Sequence, residues 1–255
     1  MNIVFVGAGR LATNLAKAFK ASGHHIVAVY SRSMQSASAL SAQVGGLPTD
    51  NIDTLPLEAD VYILSVKDSV LSAIIEQLRR GRAGQTFLHT AGSIPMSVFG
   101  SHTHCGVFYP MQTFSMEKMV DFSRVHIFIE GSDASVRCLA QALAHSVSPH
   151  VHEFSSEERR YLHLAAVFAC NFANHCFTLS SNILEAHGLS FDVMLPLIRE
   201  TADKVETMHP RDAQTGPAIR HDENVMEAQK ALLSDVPQMQ QIYELMSKSI
   251  QDTGK

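Results

Sequence analysis

Ile3-Val4-Phe5-Val6-Gly7-Ala8-Gly9-Arg10-Leu11-Ala12 decides the fold, because an apolar burst of strand character runs straight into a GxGxxA turn. Asn14-Leu15-Ala16-Lys17-Ala18-Phe19 then continues as an amphipathic helix. In that strand–turn–helix context Gly7 permits the tight turn and Gly9 lets the backbone approach a pyrophosphate. Ala12 allows the helix to pack closely on the strand, and the helix N-terminus offers its unpaired N–H groups to the anion. Gly7, Ala8, Gly9, Arg10 and Leu11 are therefore expected to line a dinucleotide. Arg10 sharpens the expectation: a cation in the first turn faces the positive end of the helix dipole and is unfavourable until an anion compensates it.

The next strand ends Val29-Tyr30-Ser31-Arg32-Ser33, and no acid follows until Asp50. An NAD site would carry a carboxylate here for the ribose 2′-hydroxyl. Arg32 instead offers a fork for a 2′-phosphate, with Ser31 and Ser33 as further donors, so the expected cofactor is NADP.

Outward from this start, apolar bursts at 26–30, 61–66, 86–89, 106–109, 126–130 and 150–154 alternate with turns and helical stretches. That rhythm predicts an α/β fold, a mostly parallel sheet of Rossmann type. The texture changes near Phe154 to continuous helical periodicity, from Ser156 to His187 with Gly188 as its stop, then over 191–207, 223–233 and 238–249. The expected organisation is a dinucleotide-binding domain over 1–154 and an all-helical domain over 155–255, for substrate and dimerisation.

Composition narrows the partners. The 255 residues are 45% hydrophobic and 18% charged with net charge −5, and no long basic run offers a footprint for nucleic acid or an anionic membrane. No leader pattern and no uninterrupted apolar stretch of membrane-spanning length is seen, so a cytoplasmic protein is expected. Cys105, Cys138, Cys170 and Cys176 include no CxxC pair and are read as reduced and mostly buried; no metal site is expected. The 14 histidines are conspicuous, since imidazole titrates near working pH.

Ligands of open α/β sheets lie beyond the carboxyl ends of the strands. Val66 and Lys67 are placed there against the cofactor, with Asp68 as a helix cap, and His89 and Ser93 bordering the nicotinamide. On the long helix His163, Asn171 and Asn174 recur at helical steps. Buried amides and imidazoles need partners, and a cleft with a hydride acceptor would supply them. His163 is the expected proton donor, with Asn171 and Asn174 orienting substrate. In the later segment Thr215-Gly216-Pro217-Ala218-Ile219-Arg220-His221-Asp222, Thr215 lines the substrate, Arg220 anchors its anionic end and Asp222 caps the next helix.

Taken together, the chain resembles a bacterial family of NADP-dependent oxidoreductases that joins a Rossmann-like N-terminal domain to a helical C-terminal domain of unknown function. The likeness rests on 7–12, His89-Thr90-Ala91-Gly92, Tyr109-Pro110-Met111-Gln112-Thr113-Phe114, Ile129-Glu130-Gly131, the helix from His163 to Asn174 and the segment 215–222. Typical members carry Ser where this chain has Ala91 and His where it has Tyr109. At longer range it is similar to pyrroline-5-carboxylate reductase, ketopantoate reductase and the 6-phosphogluconate dehydrogenase group. Those relatives imply a cofactor cleft between two domains and homodimers built through the helical part. The hydroxyacid branch also carries a Lys four residues before the Asn of its long helix, where this chain has Val167. That absence points to His163 as the acid. The expected activity is hydride transfer between NADP(H) and a small anionic carbonyl or imine compound. An NADP-binding sensor without catalysis and a coenzyme F420-dependent NADP reductase are the alternatives.

Overall fold

Successive residues of a strand turn to opposite faces of a sheet, and in β1 (Asn2–Val6) both faces find apolar partners. Ile3 and Phe5 enter one buried layer and Val4 and Val6 the other, which is why these strands read as continuous apolar runs. The structure, a computed structural model, describes residues 1–253. Its sheet has eight strands in the order β3-β2-β1-β4-β5-β6-β7-β8. The others are β2 (His25–Tyr30), β3 (Leu47–Thr49), β4 (Val61–Leu64), β5 (Phe87–His89), β6 (Cys105–Met111), β7 (His126–Gly131) and β8 (Val151–Glu153). Every pairing is parallel except β6 with β7, where Phe108 lies opposite Ile129. Strand β3 escapes the sequence reading because Leu47-Pro48-Thr49 is short, broken by proline and exposed.

Helices α1 (Arg10–Ala21), α2 (Met34–Val44) and α4 (Ala134–His145) add Leu15, Leu40 and Leu143 to the layer of Ile3 and Phe5. Helix α3 (Asp68–Leu78) adds Leu71, Ile75 and Leu78 to the other. Burial of a Leu or Ile side chain is worth about 1.5–3 kcal/mol, so these two layers hold the sheet rigid under the turns that follow β1, β4, β5 and β6.

Contacts divide the chain into two units, 1–170 and 171–255. The expected border at 154/155 marks where the helix begins; the contact border falls later because the first helical turns belong to the sheet. Helix α5 (Ser156–Ala166) opens with a capping box, Ser155 Oγ accepting from Glu158 N while the Glu158 carboxylate accepts from Ser155 N. Its Leu162 packs against Val107, Tyr109 and Phe128 of the sheet.

One regular helix to His187 is the sequence expectation, and the structure corrects it. Val167–Phe172 is π-helical before α6 (Ala173–Ala186) resumes. A π turn takes more residues than an α turn, so the spacing argument that put His163 and Asn171 on one face no longer holds. The run Ser156–Ala186 is also long and apolar enough, by length and composition, to cross a membrane. Counting only uninterrupted apolar stretches had passed over it. Against a spanning role, its opening Glu157-Glu158-Arg159-Arg160 is charged and Leu162 packs on the sheet.

The second unit is helical. After α6, Gly188 at φ +69° stops the chain as expected, and a 3-10 turn over Phe191–Met194 leads into α7 (Leu195–Thr207). Helices α8 (Pro210–Ala213), α9 (Glu223–Ala231) and α10 (Pro237–Thr253) follow. Among its described residues only Ala218 and Ser247 are buried. The cysteines also depart from expectation: Cys105 alone is buried, and Cys138, Cys170 and Cys176 are exposed on helical segments.

Candidate functional site

The turn after β1 is set by a backbone approach that no side chain would permit. Gly7 sits at φ +123°, and a Cβ there would lie 2.1 Å from the Ser65 carbonyl oxygen at the end of β4. The Gly7 N–H meanwhile donates to the Tyr30 carbonyl of β2 at 2.8 Å. The glycine turn thus gathers the carboxyl ends of β1, β2 and β4 around one cleft of about 260 Å³. It is lined by Gly7, Ala8, Gly9, Tyr30, Ser31, Arg32, Ser36, Ser65, Val66 and Lys67, with Val70 and Ile74 beneath. Ser36 and Ser65 were missed in the sequence, being ordinary turn and helix serines until the fold brings them to the cleft.

Helix α1 enters with Gly9 at its N-cap, no side-chain cap and no acid in the first turn, so its leading N–H groups are left for a ligand. Among the described residues neither Arg10, Arg32 nor Lys67 makes an ion pair. Open space lies in front of Gly9. Ser33 caps α2 by accepting from Ser36 N, and its own N–H donates to Ser31 Oγ, which draws the Ser31–Ser36 turn together around Arg32. A pyrophosphate at the glycine turn and a 2′-phosphate at Arg32 fit these groups, and the cleft carries no carboxylate to repel them.

Past β4 the chain is tied differently from expectation. Lys67, not Asp68, is the N-cap of α3, and the Asp68 carboxylate accepts from Ser93 Oγ at 2.8 Å. Ser93 is thereby committed to bridging the ends of β4 and β5.

His89 requires the larger correction. It is fully buried, stacks on Phe99 and accepts from Ala91 N through Nδ1, while Nε2 has no hydrogen-bond partner. Burial foremost, then the nearby Arg159 guanidinium, pushes its pKa down to about 3, with the Pro95 carbonyl pulling weakly the other way. A ring held neutral in the core does not exchange protons with a ligand at working pH.

His163 is half-buried on α5 and meets the turn after β5 and the end of β6 together. Its Nδ1 lies 3.1 Å from Tyr109 Oη, with the rings edge to face at 5.9 Å. Gly92 closes the triangle: a Cβ there would lie 2.5 Å from His163 Nδ1 and 2.9 Å from Tyr109 Cζ. One helical turn earlier, Arg159 is almost wholly buried and pairs with Glu130 of β7 while its NH2 donates to the Ile94 carbonyl at 2.6 Å. Ser156 Oγ donates to the same carboxylate at 2.8 Å. Three tethers therefore fix the turn of helix that precedes His163.

A second cleft, of about 550 Å³, follows the end of β6 and is lined by Gln112, Thr113, Ser115, Lys118, Met119 and Arg124 among others. Asn14, fully buried on α1, holds this loop beside the dinucleotide helix. Its Nδ2 donates to the Arg10 and Ser115 carbonyls at 2.9 and 3.0 Å, and its Oδ1 accepts from Val120 N at 3.0 Å.

Asn171, Asn174 and Thr215 are exposed, and the Asn174 and Thr215 carbonyls accept from Thr178 Oγ1 and Gln214 Nε2. Arg220 is an exposed ion pair with Asp222, through Nε and NH2 at 3.1 Å each, so it is not a free anchor. Asp222 consequently makes no side-chain cap on α9.

Over this geometry the comparisons agree. A candidate NADP oxidoreductase from Bacteroides fragilis, known by crystal structure, is 47% identical, covers 98% of both chains and superposes with a TM-score of 0.94. The chain belongs to this NADP oxidoreductase family. Within the oxidoreductase, residues 2–91 match the family described as NADP oxidoreductase coenzyme F420-dependent, and residues 125–250 match a domain of unknown function (DUF2520). Its fold recurs in a Thermotoga maritima protein at 22% identity, 99% and 98% coverage and TM-score 0.74. It recurs also in an imine reductase from Myxococcus stipitatus in complex with NADP+, at 15% identity, 99% and 93% coverage and TM-score 0.71. Glutamyl-tRNA reductase from Desulfitobacterium hafniense is 36% identical over 91 residues, and the match spans 20% of that protein. The protein is an NADP-dependent oxidoreductase with a Rossmann-type domain and a helical C-terminal region.

Proposed function

We propose that the oxidoreductase reduces a small carbonyl or imine compound bearing an anionic group, with His163 as the proton donor. The observation that carries this reading is the Tyr109–His163 contact at the carboxyl end of the sheet, where strand-end ligands of such folds lie. Bound NADPH supplies a hydride to the substrate carbon. Charge or basicity then develops on the attached oxygen or nitrogen, and the His163 imidazolium gives its Nε2 proton to that atom. Lys118 and Arg124, which line the cleft after β6 without ion-pair partners among the described residues, take over the anion-anchoring role first assigned to Arg220. A C=N acceptor stands beside C=O because an imine reductase shares the fold.

The test is a panel of keto acids and cyclic imines, scored by loss of nicotinamide absorbance with NADPH or NADH. Turnover of a carboxylate-bearing member is expected, with NADPH favoured in the wild type and the preference reduced about ten- to a hundredfold in Arg32→Ala, the loss of one charge-assisted contact at about 1.5–3 kcal/mol. Turnover of none would turn the reading towards an NADP-binding sensor, and equal use of the two cofactors would remove Arg32 from the 2′-phosphate.

We further infer a cytoplasmic homodimer built through the helical unit. Ile183, Leu197, Leu232 and Leu245 are 43%, 61%, 82% and 69% exposed there. An apolar groove of about 410 Å³ opens between α6 and α10, lined by Ile183, Leu184, Met239, Ile242 and Met246 among others. A helical layer must bury its apolar stripe against something, and a second copy of this layer is the occupant in reach. Light scattering on the eluting protein should return twice 27.9 kDa; a monomer would overturn this.

A further inference from the structure

Two neutral tautomers are open to the His163 ring, and the side chains around Nδ1 decide between them. Tyr109 is buried, and burial raises the affinity of its phenol for its proton above the ordinary value. It therefore has an O–H to place. His163 Nδ1 is the hydrogen-bond partner within reach of Tyr109 Oη among the described residues. If Nδ1 held the ring proton and donated to Oη, the phenol hydrogen would be buried without an acceptor, a state that costs about 1–3 kcal/mol. If the phenol donates to Nδ1, both groups are satisfied and the ring proton sits on Nε2.

We infer that Tyr109 is the positioning residue for His163: it fixes the ring in the Nε2–H tautomer and so aims the donor away from the protein and at a ligand. The inference deepens the reading above, resting on it for the use of that donor but not for the tautomer itself. When the ring is protonated the hydroxyl turns over and accepts from Nδ1–H, so Nε2 carries a proton in both charge states. After Nε2 gives that proton up, the neutral ring is left with hydrogen on Nδ1 and the phenol without its acceptor. A proton returning from solvent to Nε2 regenerates the imidazolium, which resets the acid, and loss of the Nδ1 proton from that form gives the phenol its acceptor back. Gly92 makes the arrangement possible, because any side chain at that position would occupy the space of the ring. The other charged and titratable groups acting on Tyr109 are Arg159, one turn back on α5, and the Cys170 thiol in the π turn.

The test is nitrogen NMR of the ring in its neutral form, with the His163 signals identified by their loss in His163→Gln. In the wild type the pattern of a single Nε2–H tautomer is expected. Tyr109→Phe keeps the ring packing but removes the hydroxyl, and should give mixed tautomers with the urea midpoint held near wild type. Gly92→Ala, acting sterically, should release the ring in the same way. An unchanged Nε2–H pattern in both variants would overturn the inference. Turnover is read separately: Tyr109→Phe should lower kcat about tenfold with KM for NADPH kept. A tautomer change without any change in kcat would leave the positioning intact and count against His163 as the donor.

Discussion

Replacing His163 with alanine lowers turnover by about 10²–10⁴-fold and leaves the dissociation constant for NADPH unchanged. The magnitude is that of one positioned acid, roughly 3–5 kcal/mol of transition-state stabilisation. The separation of the two effects follows from the fold. The dinucleotide cleft is built from the ends of β1, β2 and β4, whereas His163 stands on α5 against the ends of β5 and β6. Tyr109 and Gly92, which meet the imidazole, do not line that cleft, so removing the ring takes away a proton and spares the anion contacts. His163→Gln, which keeps a hydrogen-bond donor but carries no transferable proton, should fall nearly as far. Stopped-flow turnover and fluorescence titration of NADPH read the two quantities independently, and a variant that turns over at the wild-type rate would return His163 to the packing of α5 on the sheet.

Where a structural requirement is local in sequence, the sequence showed it. The glycine turn, Arg32 and the serines beside it are contiguous segments, and their backbone requirements are written in residue types: a positive φ at Gly7, a missing cap at Gly9, an absent acid after β2. The fold class followed from the same logic, since βαβ alternation is local. Two of the failures were non-local. His89 read as a strand-end imidazole beside a ligand because nothing in its own stretch reveals that Phe99 and Arg159 close over it. Tyr109 and His163 are 54 residues apart, and only the antiparallel turn of β7 and the docking of α5 bring them to 3.1 Å. Arg220 was read as a fork awaiting a ligand, but its carboxylate partner stands two residues on, and the tight turn with His221 at φ +55° precedes that pair's helix. The π segment hid for a different reason: apolar periodicity in six residues cannot tell a π turn from an α turn.

The largest effect on stability is expected at Glu130, a residue with no part in the chemistry. Glu130→Ala should lower the free energy of unfolding by about 3–5 kcal/mol, because it leaves the guanidinium of Arg159 buried without its counter-charge. That guanidinium is 1% exposed, and its remaining contacts are the Ile94 carbonyl, a long approach to Ser156 Oγ and a van der Waals surrounding in which Nε finds no acceptor. A charge in that position has no route to water short of lifting the first turns of α5. The converse substitution is informative. With both charges removed, in Glu130→Leu combined with Arg159→Met, the desolvation cost disappears with the attraction, and stability should return to within about 1–2 kcal/mol of wild type. Urea unfolding of the two variants against wild type measures this directly. Equal losses in the single and double variants would show that packing, not the unpaired charge, governs the site. The outcome bears on turnover as well, since Arg159 and His163 are one helical turn apart and the ion pair is what seats that turn on β7.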